Sequence, residues 1–189
     1  MKKTILILVC LVSCVFSNAQ VKVGADKSFK TSLNNYKTYA WSANIDQIPQ
    51  DEIFIGSNGV YVFNNETTRS KIKAAIEYEL NAKGYVKDES NPDLLILFKV
   101  TEQPGSLRTY NGYEMINNGL DSTRTPDNIE NTDIAAGTLI INLLDAKSSM
   151  VAWQGYASGI LKPDMVNDEV KVREAVSSIF KEFNFNAKQ

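Results

Sequence analysis

Residues 137–161 of the chain, GTLIINLLDAKSSMVAWQGYASGIL, hold two apolar runs that flank a short polar break. The break at residues 145–149 consists of residues that are typical of turns. Side chains alternate between two faces along an extended strand, so Leu139, Ile141 and Leu143 share one face. The pattern predicts a central β-hairpin. A hairpin this apolar favours a sheet that is covered by helices on one face.

The second run of this hairpin raises a question of chemistry. We interpret Trp153 as a core residue, and Gly155 and Gly159 indicate a bulge or the close approach of another backbone. The segment GYASG resembles a nucleophile elbow at first sight. Ser158 is one position too late for that motif, and the chain contains no His that could activate it. We therefore assign Ser158 no catalytic role.

Two segments have the apolar spacing of amphipathic helices. The first helix is predicted over residues 67–83, with Asn65 as its N-cap and Gly84 at its end. The second helix is capped by Asn167-Asp168-Glu169, and the tail at 184–189 is expected to fray. The apolar stripes are Ile72, Ala75, Ile76 and Leu80 in the first helix, and Val172, Ala175, Val176, Ile179, Phe180 and Phe183 in the second.

Three other stretches are typical of strands. They are a first strand at Tyr36–Trp41, a small hairpin around Gly56–Gly59, and a central strand at Leu94–Thr101 that we expect to be buried on both faces. We therefore predict an α+β fold, in which two main helices pack on one face of a single mixed or antiparallel sheet. Residues 20–35 are expected to form an extended lead-in, and residues 36–189 a single domain.

The N-terminus is typical of an export signal. Lys2 and Lys3 precede an apolar run at Thr4–Phe16, and Ser17-Asn18-Ala19 supplies the small residues that a signal peptidase reads. A second interpretation is a lipoprotein signal over residues 1–13, with lipidation of Cys14 after Leu-Val-Ser. Both interpretations, cleavage after Ala19 and lipidation at Cys14, lead to the same prediction. The protein is exported and is either periplasmic or associated with the outer membrane.

Composition excludes several kinds of chemistry. The chain has no His, and its two Cys residues, Cys10 and Cys14, both lie in the export signal. A Ser-His-Asp triad is therefore excluded, as are His–Cys zinc or copper sites in the mature chain. The net charge is -2, so the chain lacks the excess of basic residues that is typical of a nucleic-acid binder. We expect no cofactor, no metal site, no nucleic-acid partner and no enzymatic activity.

Residues 103–136 are polar and rich in Gly, Asn, Asp and Ser, which predicts a long loop. One interpretation is a plain solvated loop, and the other is a binding element. In the second case, Arg108, Tyr110 and Tyr113 are the best candidates for contact with a ligand. The carboxylates of the loop lack the alternating spacing of a calcium-binding EF-hand loop.

Several motifs resemble an uncharacterised family of bacterial cell-envelope proteins that are often described as lipoproteins of unknown function. They are the Tyr-Lys-Thr-Tyr-Ala-Trp strand, the helix end at residues 72–85 with the following Asn-Pro-Asp-Leu-Leu-Ile, and the two strands of the central hairpin. The resemblance covers about Tyr36 to Phe183. It implies an exported α+β domain, commonly lipid-anchored, with no known activity, cofactor or catalytic residue.

Three functional hypotheses remain open from the sequence. The first is a non-enzymatic envelope domain that binds a partner or supports envelope assembly or maintenance. The second is a small-molecule or lipid-binding module, in which the loop at 103–136 closes over an apolar groove between sheet and helices. The third, which has the least support because no motif accompanies it, is a hydrolase that uses a pair of carboxylates.

Overall fold

The computed structural model describes residues 21–27, 33–42, 54–56, 59–61, 66–110, 129–148, 151–165 and 168–188. Short 3-10 helices occur at Leu33–Asn35 and Pro163–Met165. The helices are α1 (Glu66–Ala82) and α2 (Glu169–Phe180). The strands are β1 (Lys22–Lys27), β2 (Thr38–Trp41), β3 (Phe54–Gly56), β4 (Gly59–Tyr61), β5 (Val86–Lys87), β6 (Leu94–Thr101), β7 (Gly105–Tyr110), β8 (Ile129–Ile134), β9 (Thr138–Asp145) and β10 (Val151–Ser158).

Six of these strands form a mixed sheet in the order β1-β10-β9-β6-β2-β5. The pairs from β1 to β6 are antiparallel, whereas β2 pairs in parallel with both β6 and β5. Parallel neighbours need a crossover connection, and α1 lies between β2 and its two partners in the chain. The predicted α+β fold is confirmed, and the sheet is mixed.

Both predicted helices are confirmed. The first begins and ends within one residue of its predicted bounds, and Asn65 lies outside the described residues. Asp168 is the N-cap of α2, because its side chain accepts hydrogen bonds from the backbone N–H groups of Val170 and Lys171. The predicted apolar stripes of both helices are buried and form one core with the sheet.

Strand β6 shows which face of the sheet the helices cover. Its burial alternates: Leu94, Ile96, Phe98 and Val100 are buried, whereas Lys99 is exposed. The prediction that this strand is buried on both faces is therefore wrong. The buried positions belong to the core that includes both helices. The strand is therefore apolar because the helices cover one of its faces and the other face is half-buried.

The central hairpin is confirmed as β9 and β10. Its register shifts between Val151 and Trp153, which places the bulge before the predicted glycine positions. Trp153 is 1% exposed and its ring packs edge-on against Phe183, with 5.0 Å between centroids. Gly155 instead marks a close approach, since a Cβ there would meet the Trp153 ring and lie 2.6 Å from Cγ2 of Ile179.

The predicted long loop at 103–136 is wrong at both ends. Residues Gly105–Tyr110 pair with Ile129–Ile134 as an antiparallel ribbon, β7–β8. Leu107 and Ile134 pack on Ile140 and Tyr156, which face away from the helices. The composition of this segment did not indicate a ribbon, because the side of the ribbon that faces the sheet carries few apolar residues. A two-stranded ribbon is stabilised when it packs on a sheet that already exists.

Both ends of the chain depart from expectation. The lead-in is extended, but it forms β1, the strand that pairs with β10 at one edge of the sheet. The expectation of a frayed tail is wrong. The backbone N–H of Ala187 donates to Lys83, and that of Lys188 donates to Tyr36. The tail therefore ties the end of α1 to the start of β2.

Candidate functional site

The structure does not show a site formed by the contact residues that were predicted from the sequence. Arg108 and Tyr110 lie in β7, where their backbones pair with Asn131 and Ile129. The structure does not describe their side chains, and Tyr113 and Cys14 lie outside the described residues altogether. The binding assignment of Arg108, Tyr110 and Tyr113 therefore stays a prediction.

The position of the β7–β8 ribbon argues against the ligand-binding arrangement that was predicted from the sequence. The ribbon packs on the face of the sheet opposite the helices, and Ser158 Oγ accepts a hydrogen bond from the N–H of Ala135, next to the end of β8. The ligand-binding alternative requires the loop to close over a groove between sheet and helices. In the described residues that space is filled by the core.

Asp93 and Asp145 lie at the same end of the sheet, where β6 begins and β9 ends: Asp145 pairs with Leu94, the residue after Asp93. We call them the acidic corner. Asp93 Oδ2 accepts from the N–H groups of Lys37 (2.7 Å) and Thr38 (3.0 Å), and its own carbonyl accepts from Ala146. The corner thereby connects the start of β2 to the turn after β9.

Asp145 is held by more donors than Asp93. Its Oδ1 accepts from the N–H of Lys147 (3.0 Å) and from both the N–H (2.7 Å) and the hydroxyl (2.9 Å) of Ser148. Its Oδ2 accepts from the hydroxyl of Tyr36 at 2.7 Å. Sequence analysis identified the residues after β9 as a turn but could not show that Tyr36, far away in the chain, completes it.

The electrostatics of the acidic corner follow from these contacts. Partial burial pushes the pKa values of Asp93 and Asp145 upward, but the hydrogen bonds to each carboxylate outweigh it and hold both pKa values below the ordinary 3.8. Both groups are therefore anions near neutral pH. A carboxyl in this state is a poor general acid, because a general acid works best with a pKa near the operating pH.

A second polar cluster lies where β2 and β5 meet α1. The indole N–H of Trp41 donates to Glu77 at 2.7 Å, and Lys87 bridges Glu77 (3.3 Å) and Glu89 (3.2 Å). The Tyr39 ring is 1% exposed, and burial, helped by Glu77, raises its pKa to about 12. Tyr39 is thus a core residue, and the hydrogen bond of Trp41 attaches β2 to the helix.

The outer surface of the helix layer carries a groove of about 210 Å³ between α1 and α2. Its lining residues are Lys71, Ala74, Ala75, Tyr78, Glu169 and Arg173. Tyr78 is 62% exposed, and the Arg173 guanidinium lies 5.9 Å from the centre of its ring. Arg173 also pairs with Glu169 at 3.0 Å, one helical turn away.

Within the described ranges, no three or more Asp, Glu, Cys or His side chains are grouped so that they could hold a metal ion. Neither helix combines the length and the apolar character that a transmembrane span requires, again within the described ranges.

The fold and these clusters define a class: an α+β domain with a mixed sheet, a helix layer on one face and a ribbon on the other. Comparison with known families assigns the domain to one of them. The chain belongs to the family named "Domain of unknown function (DUF4136)", whose model matches residues 21–183. The family resemblance seen in the sequence is confirmed, to the extent of a family of unknown function.

One solved structure of a protein from this family has a similar fold. A DUF4136 family protein from Bacteroides thetaiotaomicron is 17% identical, covers 86% of this chain and 95% of its own, and superposes with a TM-score of 0.52. At this identity the likeness shows the fold alone. A PDZ domain protein from Parabacteroides distasonis (20% identity, 87% and 36% coverage, TM-score 0.46) also matches. A PelC dodecamer from Paraburkholderia phytofirmans (10% identity, 89% and 99% coverage, TM-score 0.43) is a weaker match. No curated protein sequence matches the chain.

Proposed function

We propose that this protein is an exported, non-catalytic domain of the bacterial cell envelope that binds a protein partner in envelope assembly or maintenance. The observation that carries the non-catalytic part of the proposal is the acidic corner. It holds two carboxylates at one end of the sheet, and a carboxylate-based hydrolase would need two such groups in one site. Its donors instead come from the backbone and side chains of the fold, so both carboxylates act as structural anchors.

The proposed export is compatible with the fold. The basic and apolar segment ends at Ala19, and β1 begins at Lys22. Cleavage after Ala19 would therefore leave all six strands of the sheet intact. Lipidation at Cys14 would also keep every strand and would add a short tether between the lipid and β1.

Intact mass of the protein isolated from its native host tests the export proposal. We expect either a chain that begins at Gln20 or a chain that begins at Cys14 and carries added acyl mass. A Cys14→Ser variant is the control, since it removes the acyl mass only if lipidation occurs. A full-length chain that begins at Met1 and fractionates with the cytosol would contradict export.

A broad panel of hydrolase substrates tests the absence of catalysis. We expect no turnover above that of a denatured sample. Turnover that is lost on Asp145→Asn but kept in Asp164→Asn would contradict the proposal. Asp164 serves as the control because it is an exposed carboxylate, paired with Lys171 and outside the acidic corner.

A further inference from the structure

We infer that the β7–β8 ribbon is a hinged flap, which lifts off the sheet while the rest of the fold stays intact. The flap consists of residues 105–110 and 129–134 and covers part of the face opposite the helices. Lifting the flap uncovers Ile140 and Tyr156, the apolar patch on which it packs. This motion is independent of export and of the partner's identity.

The ribbon continues the hairpin of β6 and β9 without any shift in register. Strands β6 and β9 pair as far as Thr101 with Thr138, and pairing resumes at Gly105 after three residues in each arm. The two joints therefore have equal length, and we call them the crease (residues 102–104 and 135–137). A joint with equal arms can bend or straighten without sliding either strand along its partner. The ribbon and the strands β6 and β9 are thus one long hairpin that is folded at the crease.

The crease also keeps the alternation of side chains between the two faces. In one arm, Leu107 lies an even number of residues after Lys99. In the other arm, Ile134 lies an even number of residues before Ile140, the residue that pairs with Lys99. On a straight hairpin these side chains would therefore share one face. In the structure the two flap residues form one apolar cluster with Ile140 and Tyr156, so the hairpin is folded over onto that same face.

The apolar contact between the flap and the sheet is small. Among the described side chains, the flap contributes Ile134 and the half-buried Leu107 to it, and this cluster is separate from the core that the helices share with the sheet. On the other side of the flap, Ser106 and Asp133 are exposed. A two-stranded ribbon is only marginally stable by itself, and segments with few buried apolar contacts open at a lower free energy than the core. We therefore expect the flap to open while the core stays folded.

A glycine and a hydrogen bond define the closed position of the flap. Gly137, in the crease, has a φ of +75°, and a Cβ there would meet the carbonyl oxygen of Leu161. This conformation favours Gly and turns the chain over the face opposite the helices. At the near end of the flap, the N–H of Ala135 donates to Ser158 Oγ at 2.9 Å. Because Ser158 lies in β10, this bond fastens the flap to the sheet and must break when the flap lifts. We call it the latch.

Other hydrogen bonds hold the sheet side of the crease in place. The N–H of Gly137 donates to the carbonyl of Thr101 at 2.7 Å, and the hydroxyl of Thr138 donates to the carbonyl of Ala135. These bonds connect the crease to β6 and β9 and not to the flap, so they persist when the latch opens. The motion is therefore a lift of the flap that leaves the six-stranded sheet unchanged.

Amide hydrogen exchange, measured by NMR at low concentrations of urea, tests this motion on the chain that begins at Gln20. We expect the amides of the ribbon and of Ala135 to exchange through one opening, with a lower free energy and a smaller urea dependence than global unfolding. The amides that pair β6 with β9 should exchange only when the whole protein unfolds. Ser158→Ala removes the acceptor of the latch and should speed exchange of the ribbon by about fivefold. Leu107→Ala removes apolar contact and should speed it by about tenfold.

A thiol placed under the flap gives a second readout, because the chain after residue 19 contains no Cys. The thiol of Ile140→Cys lies beneath the flap, whereas that of Ile141→Cys faces the helices. We expect a thiol reagent to label the first variant faster than the second, and low urea that leaves the protein folded should accelerate this labelling. Adding Ser158→Ala should speed the labelling of Ile140→Cys and not that of Ile141→Cys. Denaturant unfolding shows that each variant is folded.

Ser106→Ala is the matched control, because it makes the same change as Ser158→Ala on the exposed side of the flap. It should leave the exchange and labelling rates within about twofold of the parent values. Four outcomes overturn the inference. They are ribbon amides with the free energy and urea dependence of the β6–β9 amides, ribbon amides without protection, labelling of Ile140→Cys that does not respond to Ser158→Ala, and equal effects of the two Ser→Ala changes. The mass measurement for export is unaffected by any of these results, so the two proposals can fail separately.

Discussion

At the residue scale, Gly155 is a point of close approach between the sheet and the helix layer. The Trp153 ring and Ile179 of α2 occupy the space where any larger side chain would begin. The residue is therefore required for packing rather than for a backbone conformation. The same argument applies at Gly24, where a Cβ would lie 2.6 Å from the hydroxyl oxygen of Tyr156.

Gly155→Ala tests this close approach. The added methyl group must displace the Trp153 ring or push α2 outward, so we expect the free energy of unfolding to fall by about 1–3 kcal/mol. Equilibrium unfolding in denaturant measures the change. Gly105→Ala is the control, since no atom lies within 4 Å of the Cβ it adds. Equal losses in both variants would contradict the packing argument.

Asp145 predicts a dependence of stability on pH. Its pKa is lowered in the folded protein, so the unfolded chain binds the proton more readily and acid favours unfolding. Its contribution is complete above the ordinary pKa of 3.8 and is lost as the pH falls through the lower folded value. We expect Asp145→Asn to be less stable near neutral pH and to lose less stability on acidification.

Denaturant unfolding of the parent protein and of Asp145→Asn, measured from pH 7 to below about pH 4, checks this prediction. Tyr36→Phe is the control for the geometry: it removes one donor to Asp145 and keeps the ring. It should cost about 1 kcal/mol at neutral pH. A difference between parent and Asp145→Asn that is the same at every pH would contradict the assignment.

At the element scale, the C-terminal tail acts as a strap rather than a loose end. Phe185 packs on Phe183 with 5.3 Å between ring centres, and the N–H of Asn186 donates to Asn34 Oδ1. The tail also bonds to Lys83 and Tyr36, so it contacts two segments that are distant in the chain, residues 34–36 and the end of the first helix. The polar sequence Asn184–Gln189 carries no local signal of this role, because the contacts are with residues far away in sequence.

Deletion of residues 185–189 tests the strap. Loss of the tail's backbone hydrogen bonds and of the Phe185 contact should lower the free energy of unfolding by about 2–4 kcal/mol. Amide hydrogen exchange should also increase at Tyr85, which packs against Phe183. Lys188→Ala is the control: it keeps the backbone N–H that donates to Tyr36 and should be neutral. A neutral deletion would contradict the strap.

At the scale of the whole molecule, the fold is complete only when the lead-in is present. Strand β1 covers the outer edge of β10, and its Val23 packs against the main core. The family model likewise begins at residue 21. Without β1, the edge of β10 would expose unpaired backbone groups, which favours aggregation.

A chain that begins at residue 28, directly after β1, tests this statement. We expect it to be at least about 2 kcal/mol less stable than a chain that begins at Gln20, because it loses a row of backbone hydrogen bonds. It should also self-associate at concentrations where the longer chain stays monodisperse, as measured by light scattering. Equal stability and equal dispersity would show that β1 is dispensable.

Local patterns in the sequence determined the elements whose buried apolar residues recur with the period of a helix or a strand. The stripes of α1 and α2, the run of β6 and the hairpin β9–β10 all appear at their predicted positions, since each buries an apolar face that can be seen within a few residues. The ribbon β7–β8, strand β1 and the tail were missed as packed elements. Each is stabilised by partners distant in the chain, and none has a clear apolar period of its own.

The candidate sites divide in the same way. The sequence by itself determined which chemistries are absent, because His is lacking and both Cys residues lie in the first nineteen positions. Only the tertiary structure decided that Asp93 and Asp145 are neighbours, and that Tyr78 and Arg173 meet across α1 and α2. The physical reason is that composition limits what side chains can do, whereas the pairing of strands and helices decides which of them come together.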